Sequence, residues 1–187
     1  LEPFDFNVQK DNWNDRMLNY DSIVCSFKDA EMPFERAFVR PIHDSKVFAG
    51  GIFFKEDLNE WRHKVCVLEE DYGDSLNKNT IVQIASLKNI FSEYRFWVVK
   101  GKIITSSLYK MGKSVIYSNQ VPEFVTRYVE ECIQIWQPHE AFVIDVADTE
   151  EGMKIVEINT LNSSGFYAAD IQKLVISLEE SFNIMEK

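Results

Sequence analysis

Phe142-Val143-Ile144-Asp145-Val146 and Lys154-Ile155-Val156-Glu157-Ile158-Asn159 are the stretches on which the reading of this chain turns. Both alternate in the two-residue period of a strand, and Asp148-Thr149-Glu150-Glu151-Gly152 between them is acidic and turn-forming. A hairpin follows, with strands over 141–147 and 153–159. A five-residue loop sets 147 against 153, 145 against 155 and 143 against 157. Phe142, Ile144, Val146, Val156 and Ile158 then form one apolar face, while Asp145, Glu157 and Asn159 emerge on the other. A four-residue loop sets the carboxylates against the core face of the partner strand, which costs desolvation. In the preferred register Asp145 and Glu157 are diagonal neighbours, roughly 7–8 Å apart at the backbone.

Two carboxylates and an amide, with no His or Cys beside them, describe a site for a hard cation. Magnesium takes one or two carboxylates and fills its remaining positions from phosphate oxygens. The plainer alternative, a sheet surface that is simply acidic, is weakened because strands are depleted in Asp and Asn.

Working outward, residues 93–99 alternate Glu93, Arg95, Trp97 and Val99 against Tyr94, Phe96 and Val98. Lys100-Gly101 turns them into a second strand over 102–107. Pro122 opens a helix in which Val125, Tyr128, Val129, Cys132, Ile133 and Trp136 recur at three- and four-residue steps, and Gln137-Pro138 ends it. A last helix over about 169–186 carries Ile171, Leu174, Val175, Leu178 and Phe182 on one stripe. Earlier in the chain, 37–39 is a short strand ending at Arg40-Pro41. A polar loop follows, then Val47-Phe48-Ala49-Gly50-Gly51-Ile52-Phe53-Phe54, whose glycines permit close backbone approach. Residues 56–63 predict a short helix, 69–79 an exposed acidic loop and 80–85 a strand. Residues 1–35 read as an irregular lead-in. Strand pairs interrupted by helices, without regular βαβ alternation, define an α+β fold built on antiparallel sheets.

Composition bounds the function. The chain has 187 residues, 45% hydrophobic, and a net charge of -10, so it can bury a core and repels long nucleic acids. Its apolar runs fall far short of the roughly 20 residues a membrane span needs, and no nucleic-acid or membrane partner is expected. Cys25, Cys66 and Cys132 lack paired spacing, which fits free thiols in a reducing compartment and a cytoplasmic protein. Charge is segregated: residues 86–113 hold 6 bases (Lys88, Arg95, Lys100, Lys102, Lys110, Lys113) and 1 acid, while 114–187 hold 4 bases and 13 acids. The basic segment is either a solvated strand surface or a site for a small polyanion. Arg40, Lys46 and Gly50-Gly51 offer a second candidate for phosphate oxygens, although no Gly-Lys-Ser/Thr opens a helix as in a Walker A motif.

Taken in order, these pieces resemble the ATP-grasp superfamily over about residues 36–182. Phe38-Val39-Arg40-Pro41 and Lys46-Val47-Phe48-Ala49-Gly50-Gly51 look like its first-lobe strand and phosphate-covering loop. Residues 80–85 look like the strand that presents adenine with backbone groups and a polar side chain, here Gln83 and Ala85. Glu93-Tyr94-Arg95 with Ser107-Leu108-Tyr109 resembles the start of the second lobe in a poorly characterised branch found in phages and bacteria. Asp145 with Glu157-Ile158-Asn159 is similar to the metal signature, and Ser164-Gly165-Phe166-Tyr167 continues the branch's pattern. The resemblance implies two α+β lobes with nucleotide between them: a lead-in over 1–35, itself a remnant of an N-terminal domain, a first lobe over 36–85 and a second over 86–187. It implies ATP and Mg2+ as cofactors and ligation of a small-molecule or peptide carboxylate to an amine through an acyl-phosphate. Asp145, Glu157 and Asn159 would hold magnesium. Arg40, Lys46, Gln83, Ala85 and Glu93 would bind nucleotide, and Arg95 with Lys46 would act in catalysis. Glu93 either orients Arg95 or makes a simple strand ion pair, and Ser106 and Ser107 either touch substrate or bond locally.

The family usually has Lys-Pro where this chain has Arg40-Pro41, and usually an additional N-terminal domain. The chain does not begin with Met and reads as a processed product or a piece of a longer enzyme. A metal nuclease fails because Asn159 stands where its Lys would be. A zinc hydrolase fails because His43, His63 and His139 lack ligand spacing. The alternative from another class is a nucleotide-binding or protein-interaction module without catalysis.

Overall fold

A computed structural model describes residues 5–42, 47–67 and 76–182. The chain divides into two compact units, Leu1–Leu18 with Lys88–Lys187, and Asn19–Leu87. The expected lead-in is therefore not one piece. The Leu18 N–H donates to the Ile155 carbonyl at 2.7 Å, and Met17 bridges to Ile155, so the first residues belong with the C-terminal unit. Nor is the lead-in irregular. It contains helix α1 (Phe6–Trp13), started by the Asp5 carboxylate accepting from the Asn7 N–H, and strand β1 (Ile23–Ser26).

The unit of residues 19–87 is a four-stranded antiparallel sheet, order β1-β4-β2-β3, with β2 at Arg36–Pro41, β3 at Gly51–Phe54 and β4 at Ile81–Ala85. Alternation divides its residues. Ala37 and Val39 of β2 join Val82 and Ile84 of β4 in a core with Phe27, Leu58 and Val65. Helix α2 (Lys55–Cys66) supplies the last two, and its Trp61 stacks on Phe53 at 5.4 Å and meets Phe27 edge-on at 5.0 Å. Leu58, Trp61 and Val65 lie at steps of three and four, one helical stripe. The acidic loop expected at 69–79 falls mostly outside the described residues.

The other unit is a five-stranded antiparallel sheet, order β7-β6-β5-β8-β9. Its strands are β5 (Ile90–Val99), β6 (Lys102–Met111), β7 (Ser114–Ser118), β8 (Ala141–Thr149) and β9 (Gly152–Asn159), with helices α3 (Glu123–Ile135) and α4 (Ile171–Phe182). Lys100 and Gly101 have φ of 48° and 73°, the two left-handed residues of a tight hairpin whose twist matches the strands. In α3 the expected stripe is buried at Val125, Val129, Cys132 and Ile133. Trp13 of α1 donates its indole N–H to the Cys132 carbonyl at 3.0 Å and meets Trp136 edge-on. Leu174, Leu178 and Phe182 of α4 pack with Trp97, Val99 and Val143, whereas Ile171 and Val175, expected on the same stripe, are exposed. Among the described residues, no helix is long and apolar enough to cross a membrane.

The last hairpin corrects the expected register. Thr149 pairs with Gly152, so the loop is the two residues Glu150 and Glu151 and not five. Gly152 begins β9 at a φ of 90°, which glycine adopts without cost. The pairing runs through Val146 opposite Ile155, then shifts by one, so that Asp145 faces Glu157, Ile144 faces Ile158 and Val143 faces Asn159. Val156 is the extra residue of a bulge. Ile155 is fully buried while Val156 is partly exposed, exchanging their expected places. The bulge restores the parity that the shorter loop would have inverted.

Candidate functional site

Two partial sets of the expected residues emerge, one in each unit. In the smaller unit, Arg40 of β2 is the cross-strand partner of Gln83 in β4, and Phe38 that of Ala85. Val39 and Ile84 point to the core, so Arg40, Gln83 and Ala85 share the opposite face. Gln83 is buried and its amide donates to the Ser22 hydroxyl at 2.9 Å, and the Arg40 Nε donates to the Pro41 carbonyl at 3.3 Å. A Cβ on Gly50 would stand 3.0 Å from both the Arg40 Cβ and the Phe38 ring, so glycine is what lets this loop close on β2. Lys46 lies outside the described residues.

In the larger unit, β5 and β8 set Arg95 directly opposite Asp145, and β9 sets Glu157 on the far side of Asp145. Glu93, Arg95, Asp145, Glu157 and Asn159 thus share one face across three strands. Arg95 and Asp145 form a bidentate ion pair, Nε to Oδ1 at 2.8 Å and a terminal nitrogen to Oδ2 at 2.7 Å, the two residues being 7% and 2% exposed. The other terminal nitrogen reaches the Gly165 carbonyl at 3.3 Å. Glu157 Oε1 accepts from the Asn159 amide at 2.9 Å. Glu93 does not pair with Arg95. Its carboxylate takes the Lys110 ammonium and a 2.9 Å hydrogen bond from the Tyr109 hydroxyl.

Three tyrosines roof the guanidinium. Arg95 lies 5.6 Å from the Tyr109 ring centre and 5.0 Å from that of Tyr167, and Tyr167 stacks at 5.1 Å on both Tyr109 and Tyr117. Tyr167 holds a left-handed φ of 51°, unusual for an aromatic residue. Its segment is fastened to β6 by the Ala168 N–H donating to the Ser107 hydroxyl and the Asp170 N–H to the Thr105 hydroxyl. Ser107 therefore bonds locally. Of these contacts the sequence offers only the residue types: Tyr109 and Tyr167 are 58 positions apart, and folding alone brings them together.

Burial pushes the Asp145 carboxyl up, to about 6, with Glu157 and Glu93 adding to it and Arg95 opposing. It is a carboxylate at neutral pH. For Arg95, burial acts downward, but the Asp145 charge outweighs it and holds the guanidinium above its ordinary range. Burial, then the Asp145 and Glu93 charges, raise the Tyr109 phenol, which stays a neutral donor.

The donor chemistry fits magnesium. An ionised carboxylate has about four lone-pair sites, and Arg95 occupies one on each oxygen of Asp145, so capacity remains toward Glu157. Directly opposed strand residues carry their Cβ atoms about 5 Å apart, close enough for both carboxylates to converge on one ion. Among the described residues no three of His, Cys, Asp and Glu gather at one point. A cation bound here would complete its shell from phosphate and water, as magnesium does.

Two antiparallel α+β units of this kind are the ATP-grasp fold. A family model of the ATP-grasp domain, the third family of its clade, matches residues 8–178, and the chain belongs to that family. The fold is similar to D-alanine–D-alanine ligase from Bacillus anthracis (TM-score 0.63, 15% identity, covering 95% of this chain and 66% of that one). It is also similar to the ATP-grasp ligase PsnB solved with a minimal precursor (0.59, 12%, 88% and 54%) and to L-amino acid ligase from Bacillus licheniformis (0.54, 10%, 85% and 40%). The chain thus spans 66% or less of the length of these three ligases. No curated protein matches it.

Proposed function

We propose that this chain is the nucleotide- and metal-handling part of an ATP-dependent ligase that joins a carboxylate to an amine through an acyl-phosphate. The observation that carries the reading is the direct opposition of Arg95, Asp145 and Glu157 across β5, β8 and β9 in a chain of ATP-grasp type. Phosphoryl transfer asks the protein mainly for positioning and for neutralisation of charge. Asp145, Glu157 and Asn159 hold Mg2+, which neutralises phosphate charge. Arg95, fixed by Asp145 and the tyrosine roof, directs positive charge at the transferring phosphoryl group and the acyl-phosphate. Arg40 and Lys46 bind phosphate, and Gln83 and Ala85 meet adenine. Glu93 acts at one remove, by holding Tyr109 and Lys110.

The ligases similar in fold are named for D-alanine, for L-amino acids and for a peptide precursor, and amino acids or peptides are the substrates we assign. Free thiols at Cys25, Cys66 and Cys132 suit a reducing cytoplasm. Titration calorimetry with ATP, with and without Mg2+, tests the reading. Tight binding only with Mg2+, lost in Glu157→Gln with the thermal midpoint unchanged, is the expected result. Unchanged ATP affinity in that variant removes the site assignment. ATP binding without phosphate release across a panel of amino acids and peptides makes the chain a nucleotide-binding module instead.

A further inference from the structure

We infer that the β7 edge of the five-stranded sheet is a docking strand for an extended, acidic peptide segment, which pairs with it as a sixth strand. The two edges of this sheet differ. At β9 the chain guards itself: Met17 bridges to Ile155, the Leu18 N–H bonds the Ile155 carbonyl, and the Lys154 ammonium reaches the Asp15 carbonyl at 2.8 Å. At β7 no further strand of the described residues follows, and one row of backbone amides and carbonyls faces outward. Soluble proteins usually blunt such an edge with a charge or a proline. Ser114-Val115-Ile116-Tyr117-Ser118 has neither, and it exposes 68% of Val115, 41% of Ile116 and 57% of Tyr117.

Charge identifies the occupant. The chain carries a net -10, yet residues 94–122 contain no acid and the bases Arg95, Lys100, Lys102, Lys110 and Lys113. Lys113 sits in the turn that leads into β7 and makes no ion pair among the described residues. Lys110 lies opposite Val115 on the neighbouring strand. An added strand therefore meets apolar side chains along its length and positive charge at the β6–β7 turn, which suits alternating apolar and acidic residues. A second copy of this acidic chain is disfavoured because pairing β7 with β7 brings two such basic ends together.

The register also says which way the docked peptide looks. Val115 shares a face with Lys110, and Lys110 with its partner Glu93, so Val115 and Tyr117 stand on the face that carries Arg95 and Asp145. The Tyr117 ring already stacks on Tyr167 above Arg95. Three strand spacings, about 14 Å, separate an added strand from β5. The edge is thus an anchoring surface beside the Arg95 cluster and not the place of its chemistry. This inference rests on the edge and its charge alone, so it stands or falls separately from ATP binding.

The test is fluorescence anisotropy with a labelled short peptide alternating valine and glutamate, alongside its lysine counterpart and a version N-methylated at alternate amides. At low salt the glutamate peptide is expected to bind about tenfold tighter than the lysine one, a gap that closes as salt rises. Lys113→Glu, in an exposed turn, removes most of that gap, and N-methylation abolishes binding. Hydrogen exchange at 114–118 slows when the glutamate peptide is added, while exchange in β5 and β8 is the same in wild type and Lys113→Glu. Equal binding of the N-methylated peptide overturns strand addition, and equal binding of the two charge types overturns the acidic partner. Absence of binding by every peptide overturns the whole inference. Self-association that Ile116→Lys abolishes and the peptide does not displace assigns the edge to a second copy and overturns it likewise.

Discussion

One face of β5 and β8 changes character between adjacent pairs. Trp97 opposite Val143 and Val99 opposite Ala141 pack beneath Leu174 of α4. One pair further on, Arg95 opposes Asp145, as deeply buried but held by charge-assisted hydrogen bonds. Both halves exclude water by different means. In the apolar half each side chain gains from burial by itself, whereas in the polar half each charge is tolerable only because of the other. Even the apolar half is not free of polar cost, since the buried Trp97 indole N–H has no acceptor among the described residues.

The comparison breaks most sharply at Arg95. Removing one member of a buried pair leaves the other desolvated and unpaired, so Arg95→Ala should lower stability by about 4 kcal/mol in urea unfolding. The double variant Arg95→Met with Asp145→Leu should recover to within about 1 kcal/mol of wild type, because apolar residues of similar volume often replace a buried pair without loss. Mg2+-dependent ATP binding should stay abolished in the double variant. Recovery of both would show the pair to be structural and nothing more.

Leu174→Ala probes the other half. Truncating a buried leucine costs transfer energy and leaves a cavity, about 3 kcal/mol at this site. Its effect should stop there: the ATP affinity of the folded fraction, read by calorimetry well below the unfolding midpoint, stays at the wild-type value. A tenfold loss of affinity, about 1.4 kcal/mol, would mean that the two halves are coupled through the Trp97–Phe166 stack.

What the sequence made legible follows the same division. Local periodicity gave the β5–β6 hairpin at Lys100-Gly101, the α3 stripe and the side of the sheet on which Asp145, Glu157 and Asn159 lie. It could not give the bulge at Val156, because parity arithmetic assumes one residue against one, and an inserted residue leaves no mark in the hydrophobic pattern. It named Arg95 and Asp145 separately but not as partners, since β5 and β8 are separated in sequence by two strands and a helix. Helix α1 escaped because its buried residues Phe6, Gln9 and Trp13 include a polar one, and β7 because a short edge strand lacks the alternation of a half-buried one.

The smallest effect lies where the two halves meet the tyrosine roof. Tyr109 contributes both a ring near the Arg95 guanidinium and a hydroxyl that donates to Glu93. Tyr109→Phe keeps the first and removes the second. A hydrogen bond to a carboxylate is worth about 1.5–3 kcal/mol, but Glu93 retains Lys110, so the loss in stability should fall to about 1 kcal/mol. Tyr109→Ala removes the ring as well and frees the Arg95 plane. If the roof positions Arg95 for phosphoryl transfer, the phenylalanine variant keeps ATP turnover near wild type, whereas the alanine variant loses kcat with KM for ATP little changed. Equal losses of kcat in the two variants would move the role from the ring to the hydroxyl and its carboxylate, and Glu93 would replace Tyr109 as the residue that sets the guanidinium.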